Sequence, residues 1–294
     1  MSGTLCLPRD GGDVMRETIE FRIPENHASR FLAADQGARM GSGFTRRLEV
    51  APDDPLFLRI GEIDRRLRAE GRAFFTSWIP HRRYSASELA RAELMHLDIG
   101  AVFEPAGEEC GTVYDESTAC AVCGAGRRQV STLRLDVGTI PAGKDIARSI
   151  ANEVVVSDRL AGLIAANQLS GAELRPVLDC QGDGAVSERW HQLVVTSRPV
   201  STQPPTRFGT DPFDDSPERS GCPPDHVVGL NVLSELWVAR ADWDGSDLVR
   251  TLQAVGTRRG LLVPAPLLLV SQRAFRVFQQ ERVKGAKVEV AHLQ

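Results

Sequence analysis

The sequence has few lysines, few aromatic residues and no long hydrophobic run. Only 3 of its 35 basic residues are lysines, aromatic residues make up 6% of the 294 positions, and the longest apolar stretch, 261–270, is interrupted by two prolines. Because a membrane-spanning helix needs about 20 consecutive apolar residues, the sequence predicts none. The first 16 residues contain proline, glycine and acidic residues instead of the apolar core of a signal peptide, so we expect a cytoplasmic protein.

An excess of positive charge is also missing. The 39 acidic residues outnumber the 35 basic ones, which gives a formal net charge of −4. Binding to nucleic acid requires a concentrated basic face, so the composition disfavours a general nucleic-acid-binding protein. One stretch, Trp78–Tyr84, does interleave aromatic and basic residues around Arg82 and Arg83. Nucleic-acid binding through this stretch is therefore kept as a further alternative.

The sequence predicts an α+β protein with a smaller N-terminal region, residues 1–102. Its first 18 residues have no regular pattern and are predicted to be a loose leader. Alternating apolar residues at Ile19–Ile23 predict a strand, and apolar residues at helical spacing predict a helix at Leu56–Leu67. A second helix is predicted to begin after a capping serine, Ser85 or Ser87, and to end near Leu97.

Residues 103–294 form the second predicted region, which contains an internal repeat. The segment Val156-Ser-x-Arg159 recurs as Val270-Ser-x-Arg273, and the similarity continues without a gap through Gly171 and Gly285. Both copies have the pattern of a strand, a helix, a glycine turn and a second strand. A repeated supersecondary unit of this kind is typical of internal duplication.

Two further blocks precede this repeat in the same order. The segment Asp145–Ile150 resembles Asp247–Leu252, and Cys123-x2-Gly126 matches His226-x2-Gly229. We therefore predict that residues from about 120 to 177 and from about 222 to 290 are two copies of one unit, packed around a pseudo-twofold axis. The segment 200–225 contains six of the 17 prolines and is predicted to be an exposed loop.

Each predicted unit begins with two potential metal ligands. Cys120-x-x-Cys123-Gly is a knuckle in which two thiolates point to one side of a tight turn, and the aligned segment Cys222-x3-His226 offers two more ligands. The four residues form a Cys3His set, which binds structural zinc in tetrahedral geometry. Cys110 is an alternative to His226 as the fourth ligand, because it precedes the first knuckle by only ten residues.

Four protein ligands predict a structural zinc, because a catalytic zinc needs an open position for water. Glu108, Glu109 and Asp225 could serve as a base at a catalytic zinc, but their spacing does not require that role. We therefore expect a zinc-stabilised cytoplasmic binding protein that has no catalytic residues and binds another protein. The alternative is a zinc-dependent hydrolase, or another enzyme, that acts in the cleft between the repeats.

Three features resemble the paralogous double-CxxCG motif family of myxobacteria and related soil bacteria. They are the knuckle at 120–124, Gly229–Asn231 after the second knuckle, and the ending Gly285–Leu293. The resemblance extends from about Phe103 to the C-terminus and implies a pair of zinc knuckles but no settled activity. His226 stands where the family name implies a cysteine, so the fourth ligand stays open. The distant similarity of this family to toxin-immunity proteins implies a toxin as the partner.

Overall fold

The computed structural model describes most of the chain as a mixed α+β protein. The described residues are 15–182, 184–209, 211–213, 222, 226–227, 231–256 and 258–294. They form two compact units, one of residues 15–85 with 211–213 and one of the remaining described residues. Within these ranges, no helix is both long and apolar enough to cross a membrane. Most of the predicted leader, residues 1–14, lies outside the described residues, but Arg16 already begins the first strand.

The N-terminal unit is a four-stranded antiparallel sheet covered by two helices. The strands have the order β2-β3-β1-β4. The elements are β1 (Arg16–Pro24), α1 (Glu25–Phe31), β2 (Ala38–Met40), β3 (Thr45–Val50), α2 (Pro55–Ala69) and β4 (Ser77–Arg83). Helix α2 begins after Asp54, whose carboxylate accepts a hydrogen bond from the backbone N–H of Leu56. The predicted strand at Ile19–Ile23 and the predicted helix at Leu56–Leu67 are confirmed.

The predicted helix ending near Leu97 is wrong in its C-terminal half. Helix α3 (Ala86–Arg91) is short, and a strand, β5 (Leu94–Ile99), follows it. Four of the six side chains in β5 are buried, and the strand pairs on both sides with strands from the C-terminal third. These pairings place residues 86–102 in the second unit, so the contacts divide the chain at Ser85 and not at the predicted boundary of 102 and 103.

The second unit contains two six-stranded sheets. The first has the order β6-β10-β11-β13-β12-β9, and the second has the order β15-β18-β19-β5-β20-β17. The strands of the first sheet are β6 (Val102–Phe103), β9 (Leu133–Leu135), β10 (Ile146–Ser149), β11 (Val154–Ser157), β12 (Ala172–Asp179) and β13 (Val186–Val195). The further strands of the second sheet are β15 (His226–Val227), β17 (Leu236–Val238), β18 (Leu248–Val255), β19 (Ala265–Ser271) and β20 (Ala286–Leu293).

The two sheets have the same sequence of pairings. In each sheet the two outermost pairs are parallel and the three inner pairs are antiparallel. A helix follows the third strand of each order, α4 (Asp158–Ala166) after β11 and α5 (Gln272–Gln280) after β19. Both helices are capped by a serine hydroxyl, from Ser157 and Ser271, which are the serines of the two Val-Ser-x-Arg segments. Short pairs outside the sheets are β7 (Tyr114–Asp115) with β8 (Arg128–Gln129) and β14 (Phe208–Gly209) with β16 (Asn231–Val232).

The fourth strand in each order comes from the other half of the chain. Strand β13 precedes the strands of the second sheet but lies in the first, where Trp190 is opposite Ser157. Strand β5 precedes the strands of the first sheet but lies in the second, where Leu94 is opposite Ser271. We call residues 94–179 and 186–293 the two halves; each begins upstream of the predicted unit, with a strand that lies in the sheet of the other half. Because each half supplies a strand to the other sheet, each sheet contains backbone hydrogen bonds between the two halves.

Two aspartates join the halves reciprocally. Asp145 accepts hydrogen bonds from the guanidinium of Arg159 at 2.9 Å and from the backbone N–H of Lys284, in the other half, at 2.9 Å. Asp247 accepts hydrogen bonds from the guanidinium of Arg273, in its own half, and from the backbone N–H of Ser170, in the first half, both at 2.9 Å. Burial raises the pKa of Asp145, but the hydrogen bonds from Arg159 and Lys284 outweigh this effect, and the pKa lies below its usual value.

Replacing Asp145 with asparagine is expected to lower the free energy of unfolding by about 2 kcal/mol at neutral pH, because a side chain only 11% exposed loses a charged acceptor. A carboxylate with a lowered pKa contributes stability above its unfolded pKa, about 3.9, and loses it as the pH falls through the folded pKa. The difference between variant and wild type should therefore shrink below about pH 4. Denaturant unfolding across pH measures this, with Asp158→Asn, at a side chain 76% exposed, as the control. Equal effects of the two substitutions would contradict the prediction.

Candidate metal centre

The four residues predicted to be zinc ligands lie together in the structure. The potential ligand atoms of Cys120, Cys123, Cys222 and His226 all lie within 4.8 Å of one another. Cys123 Sγ is 3.6 Å from Nδ1 of His226. Cys123 is buried, and the other three residues are partly exposed. The chain therefore has a Cys3His cluster at a spacing compatible with a bound metal ion such as zinc.

The first two ligands lie in a tight turn closed by backbone hydrogen bonds. The N–H of Gly124 donates to the carbonyl oxygen of Cys120, and the N–H of Cys120 donates to the carbonyl oxygen of Ala125, both at 2.8 Å. Gly124 has a φ of +75°, which favours glycine. The N–H groups of Cys123 and Val122 donate to the sulfur of Cys120 and lower the pKa of this thiol to about 6. The turn thus stabilises a thiolate, the form of cysteine that binds metal.

One of the other two ligands, His226, lies in the second sheet. His226 begins β15 and is paired with Ala254 of the neighbouring strand β18. Ala254 and Ala125 are buried beside Cys123, and these small side chains leave space for the sulfur atoms. Burial, followed by the two neighbouring thiols of the first pair, raises the pKa of Cys222 to about 12. The thiols of Cys120 and Cys123 therefore oppose ionisation of Cys222, and a bound cation would remove this opposition.

The spacing of the cluster fits an ion of the size of zinc. Zinc–sulfur bonds of about 2.3 Å and zinc–nitrogen bonds of about 2.0 Å place sulfur and nitrogen about 3.6 Å apart on a tetrahedron, and two sulfurs about 3.8 Å apart. The separation of Cys123 Sγ and His226 Nδ1 is 3.6 Å. The remaining separations, up to 4.8 Å, require a contraction of about 1 Å or less to reach the tetrahedral value.

Cys110, the alternative fourth ligand, lies outside this cluster. Its sulfur is 3.1 Å from the sulfur of Cys180. Residues 106–110 form a turn in which the N–H of Cys110 donates to the carbonyl oxygen of Gly107 at 3.1 Å, and this turn directs the chain towards the end of β12. The geometry therefore favours His226 over Cys110 as the fourth ligand. Cys6 lies outside the described residues.

Two of the acidic residues considered for a catalytic zinc have structural partners. Glu108 forms an ion pair with Arg127 at 2.9 Å. Glu109 accepts a hydrogen bond from the backbone N–H of Ala106 at 2.8 Å. Asp225 lies outside the described residues. Neither described carboxylate belongs to the group of potential metal ligands.

The aromatic and basic stretch of the N-terminal unit lies among carboxylates. The side chain of Arg82 is only 1% exposed and is 2.8 Å from Glu17. Arg83 is 70% exposed and is 3.9 Å from Glu49. The surface near these arginines therefore has mixed charge, and the buried guanidinium of Arg82 is not accessible to a phosphate.

Comparison with known proteins finds no protein-family model and no curated protein that matches the chain. The resemblance to the double-CxxCG family therefore stays a prediction that rests on the quoted motifs. The Cys3His cluster is therefore the feature of the chain that bears on its function.

Sequence reasoning missed the contact between Cys110 and Cys180. These residues are 70 positions apart, and no repeat or spacing connects them. They meet because β12 pairs in parallel with β9, which places Cys180 beside the end of β9, where its N–H donates to the carbonyl oxygen of Leu135 at 2.9 Å. By contrast, Asp145 and Asp247 are the first residues of the similar segments 145–150 and 247–252. The sequence alone therefore predicts that these two aspartates have similar roles.

Proposed function

We propose that this chain is a zinc-stabilised binding protein without catalytic activity and that its partner is another protein. Cys120, Cys123, Cys222 and His226 hold the zinc. The observation that carries the proposal is the presence of four protein donors within 4.8 Å of one another. When bound, the ion supplies four bonds to the chain and has no position left for a reacting water, which a catalytic zinc requires.

The zinc connects parts of the chain that are far apart in sequence. Cys123 and His226 are separated by 103 residues, and they belong to the first knuckle and to an outer strand of the second sheet. That outer strand, β15, has two residues, so its backbone pairing alone gives little stability. Because such a site forms only in the folded chain, the free energy of zinc binding contributes to the free energy of folding.

We further propose that the two halves, 94–179 and 186–293, arose by duplication and are related by a pseudo-twofold axis. The equal strand orders, the exchanged strands β5 and β13, and the reciprocal bonds of Asp145 and Asp247 support this relationship. Aligned positions meet only near such an axis, and Cys123 and His226 are aligned. The zinc therefore lies where the two halves meet, and its role is to hold them together.

A toxin is the class of partner that the motif resemblance favours, and the proposed protein is then of the immunity type. In this role the duplicated unit supplies a rigid surface, and the zinc preserves that surface without taking part in a reaction. We place this protein in the cytoplasm, where a reducing environment keeps the four ligands available for metal.

Metal analysis of the purified protein, combined with activity assays, tests this proposal. We expect about one zinc per chain, loss of stoichiometric zinc in His226→Ala, and retention in the matched variant Cys110→Ala. A protein that co-purifies with the wild type should bind it stoichiometrically in calorimetry and should bind His226→Ala less tightly. If a chelator abolished a hydrolytic turnover while circular dichroism showed an intact fold, the zinc hydrolase would be the correct assignment.

A further inference from the structure

We propose that Cys110 and Cys180 form a reversible disulfide site that is separate from the metal cluster. Their sulfur atoms are 3.1 Å apart, and a disulfide bond is about 2.05 Å long. An approach of about 1 Å therefore suffices, which side-chain rotations can supply. Both residues are partly exposed, so a small oxidant has access to them. This inference does not depend on the proposed binding function.

Two residues of strand β9 bind the segments that carry the two thiols. The carbonyl oxygen of Cys110 accepts a hydrogen bond from the guanidinium of Arg134, in β9, at 3.1 Å. The N–H of Cys180 donates to Leu135, the last residue of the same strand, at 2.9 Å. Because β9 fixes both segments, the contact between the sulfurs is a consequence of the fold.

The surroundings of the pair are those of a dithiol and not of a second metal site. Among the described residues, the one group of three or more potential metal ligands is the Cys3His cluster. The polar neighbour of Cys180 is the amide of Gln181, with its nitrogen 4.0 Å from the sulfur. The carboxylate of Asp136 is close enough to Cys110 to contribute to its raised pKa, but among the described residues it does not form a group of three potential ligands with the two thiols. Two thiols without a third ligand are more suited to oxidation than to binding zinc.

The two sulfurs differ in their neighbours, because the amide of Gln181 donates to the sulfur of Cys180, and we assign the first reaction with a peroxide to Cys180. Burial, together with the adjacent Cys180, raises the pKa of Cys110 to about 12, so Cys110 stays a thiol. Cys180 lies in the turn after β12, where the side-chain amide of Gln181 donates to its sulfur at 4.0 Å; this sulfur attacks the peroxide and gives its proton to the departing oxygen. The O–O bond breaks, one oxygen remains on Cys180 as a sulfenic acid, and the other leaves as an alcohol or water.

The second step forms the disulfide. The sulfur of Cys110 attacks the sulfur of the sulfenic acid, the S–O bond breaks, and the hydroxyl leaves as water with the proton of Cys110. The two thiols together lose two electrons, which reduce the peroxide. The disulfide closes a loop that contains Cys120 and Cys123 but neither Cys222 nor His226, so it restrains the first half of the chain independently of the zinc.

Oxidation of the full-length, zinc-loaded protein with hydrogen peroxide tests the inference. After alkylation of the remaining thiols, we expect a mass loss of two hydrogen atoms, a linked pair of peptides that contain Cys110 and Cys180, unchanged zinc content, and reversal by dithiothreitol. Complete alkylation of both residues after the treatment, or a link from either residue to Cys6 or to a zinc ligand, would overturn the site. Because this readout uses the wild type, it does not require that any variant folds.

Two matched variants test the order of the steps. In Cys110→Ser the sulfenic acid of Cys180 has no partner thiol, so dimedone should trap it at least about tenfold more than it traps Cys110 in Cys180→Ser. Each variant should also lose the linked peptides entirely. Stronger trapping at Cys110 would reverse the assigned roles of the two residues. Zinc content in both variants should equal that of the wild type, which separates this result from failure of the proposed metal site.

Discussion

Replacing Cys123 with serine is expected to abolish stoichiometric zinc binding and to lower the free energy of unfolding by about 4 kcal/mol when free zinc is about a thousandfold above the dissociation constant of the wild type. Cys123 is the buried member of the cluster and lies 3.6 Å from His226. Its loss leaves three donors, an incomplete tetrahedron and a weaker connection between the first knuckle and β15. Denaturant unfolding followed by tryptophan fluorescence, together with metal analysis, measures both effects.

The matched control for this substitution is Cys180→Ser, which changes a partly exposed cysteine outside the cluster. This variant should keep its zinc and should remain as sensitive to a chelator as the wild type. Cys123→Ser should be insensitive to the chelator, because the metal-dependent part of its stability is already lost. If a chelator changed the stability of neither the wild type nor the control, the cluster would contribute no metal-linked stability and the zinc assignment would fail.

The metal cluster could be predicted from the sequence because the information is local and repeated. Cys120 and Cys123 form a short knuckle, and the alignment of Cys123 with His226 identifies the second knuckle without any knowledge of the sheets. Spacing alone could not decide between His226 and Cys110, since both are compatible with the same ion. The structure separates them through the turn that directs Cys110 towards Cys180.

The exchange of strands between the halves could not be predicted in the same way. Leu94–Ile99 follows a plausible helix start, and its side chains show no pattern strong enough to end the helix at Arg91. The strand forms because β19 and β20 pair with it on both sides, which is a tertiary effect that local propensity does not contain. The predicted repeat units also did not include β5 and β13. These two strands have the same position in the two sheets but little similarity in sequence.

Replacing Gly285 with alanine is expected to lower the free energy of unfolding by about 4 kcal/mol. A Cβ atom at this position would lie 1.9 Å from the carbonyl oxygen of Ile146, in the other half, and the residue has a φ of +118°. The cost combines about 1–2 kcal/mol for the positive φ and about 1–3 kcal/mol for the forced movement of a backbone that cannot rotate away. Equilibrium unfolding in denaturant measures this change.

The equivalent glycine and a matched control decide what this result means. Gly171 has a φ of +93°, and its Cβ would lie 2.2 Å from the carbonyl oxygen of Leu248, so Gly171→Ala should cost about as much as Gly285→Ala. Gly245 has a φ of +87° but no atom within 4 Å of its Cβ position, so Gly245→Ala should cost only about 1–2 kcal/mol. Equal effects at Gly245 and Gly285 would show that backbone conformation alone matters. A large effect at Gly285 with a small one at Gly171 would contradict the proposed pseudo-twofold relationship, because such an arrangement requires the same close backbone approach at both glycines.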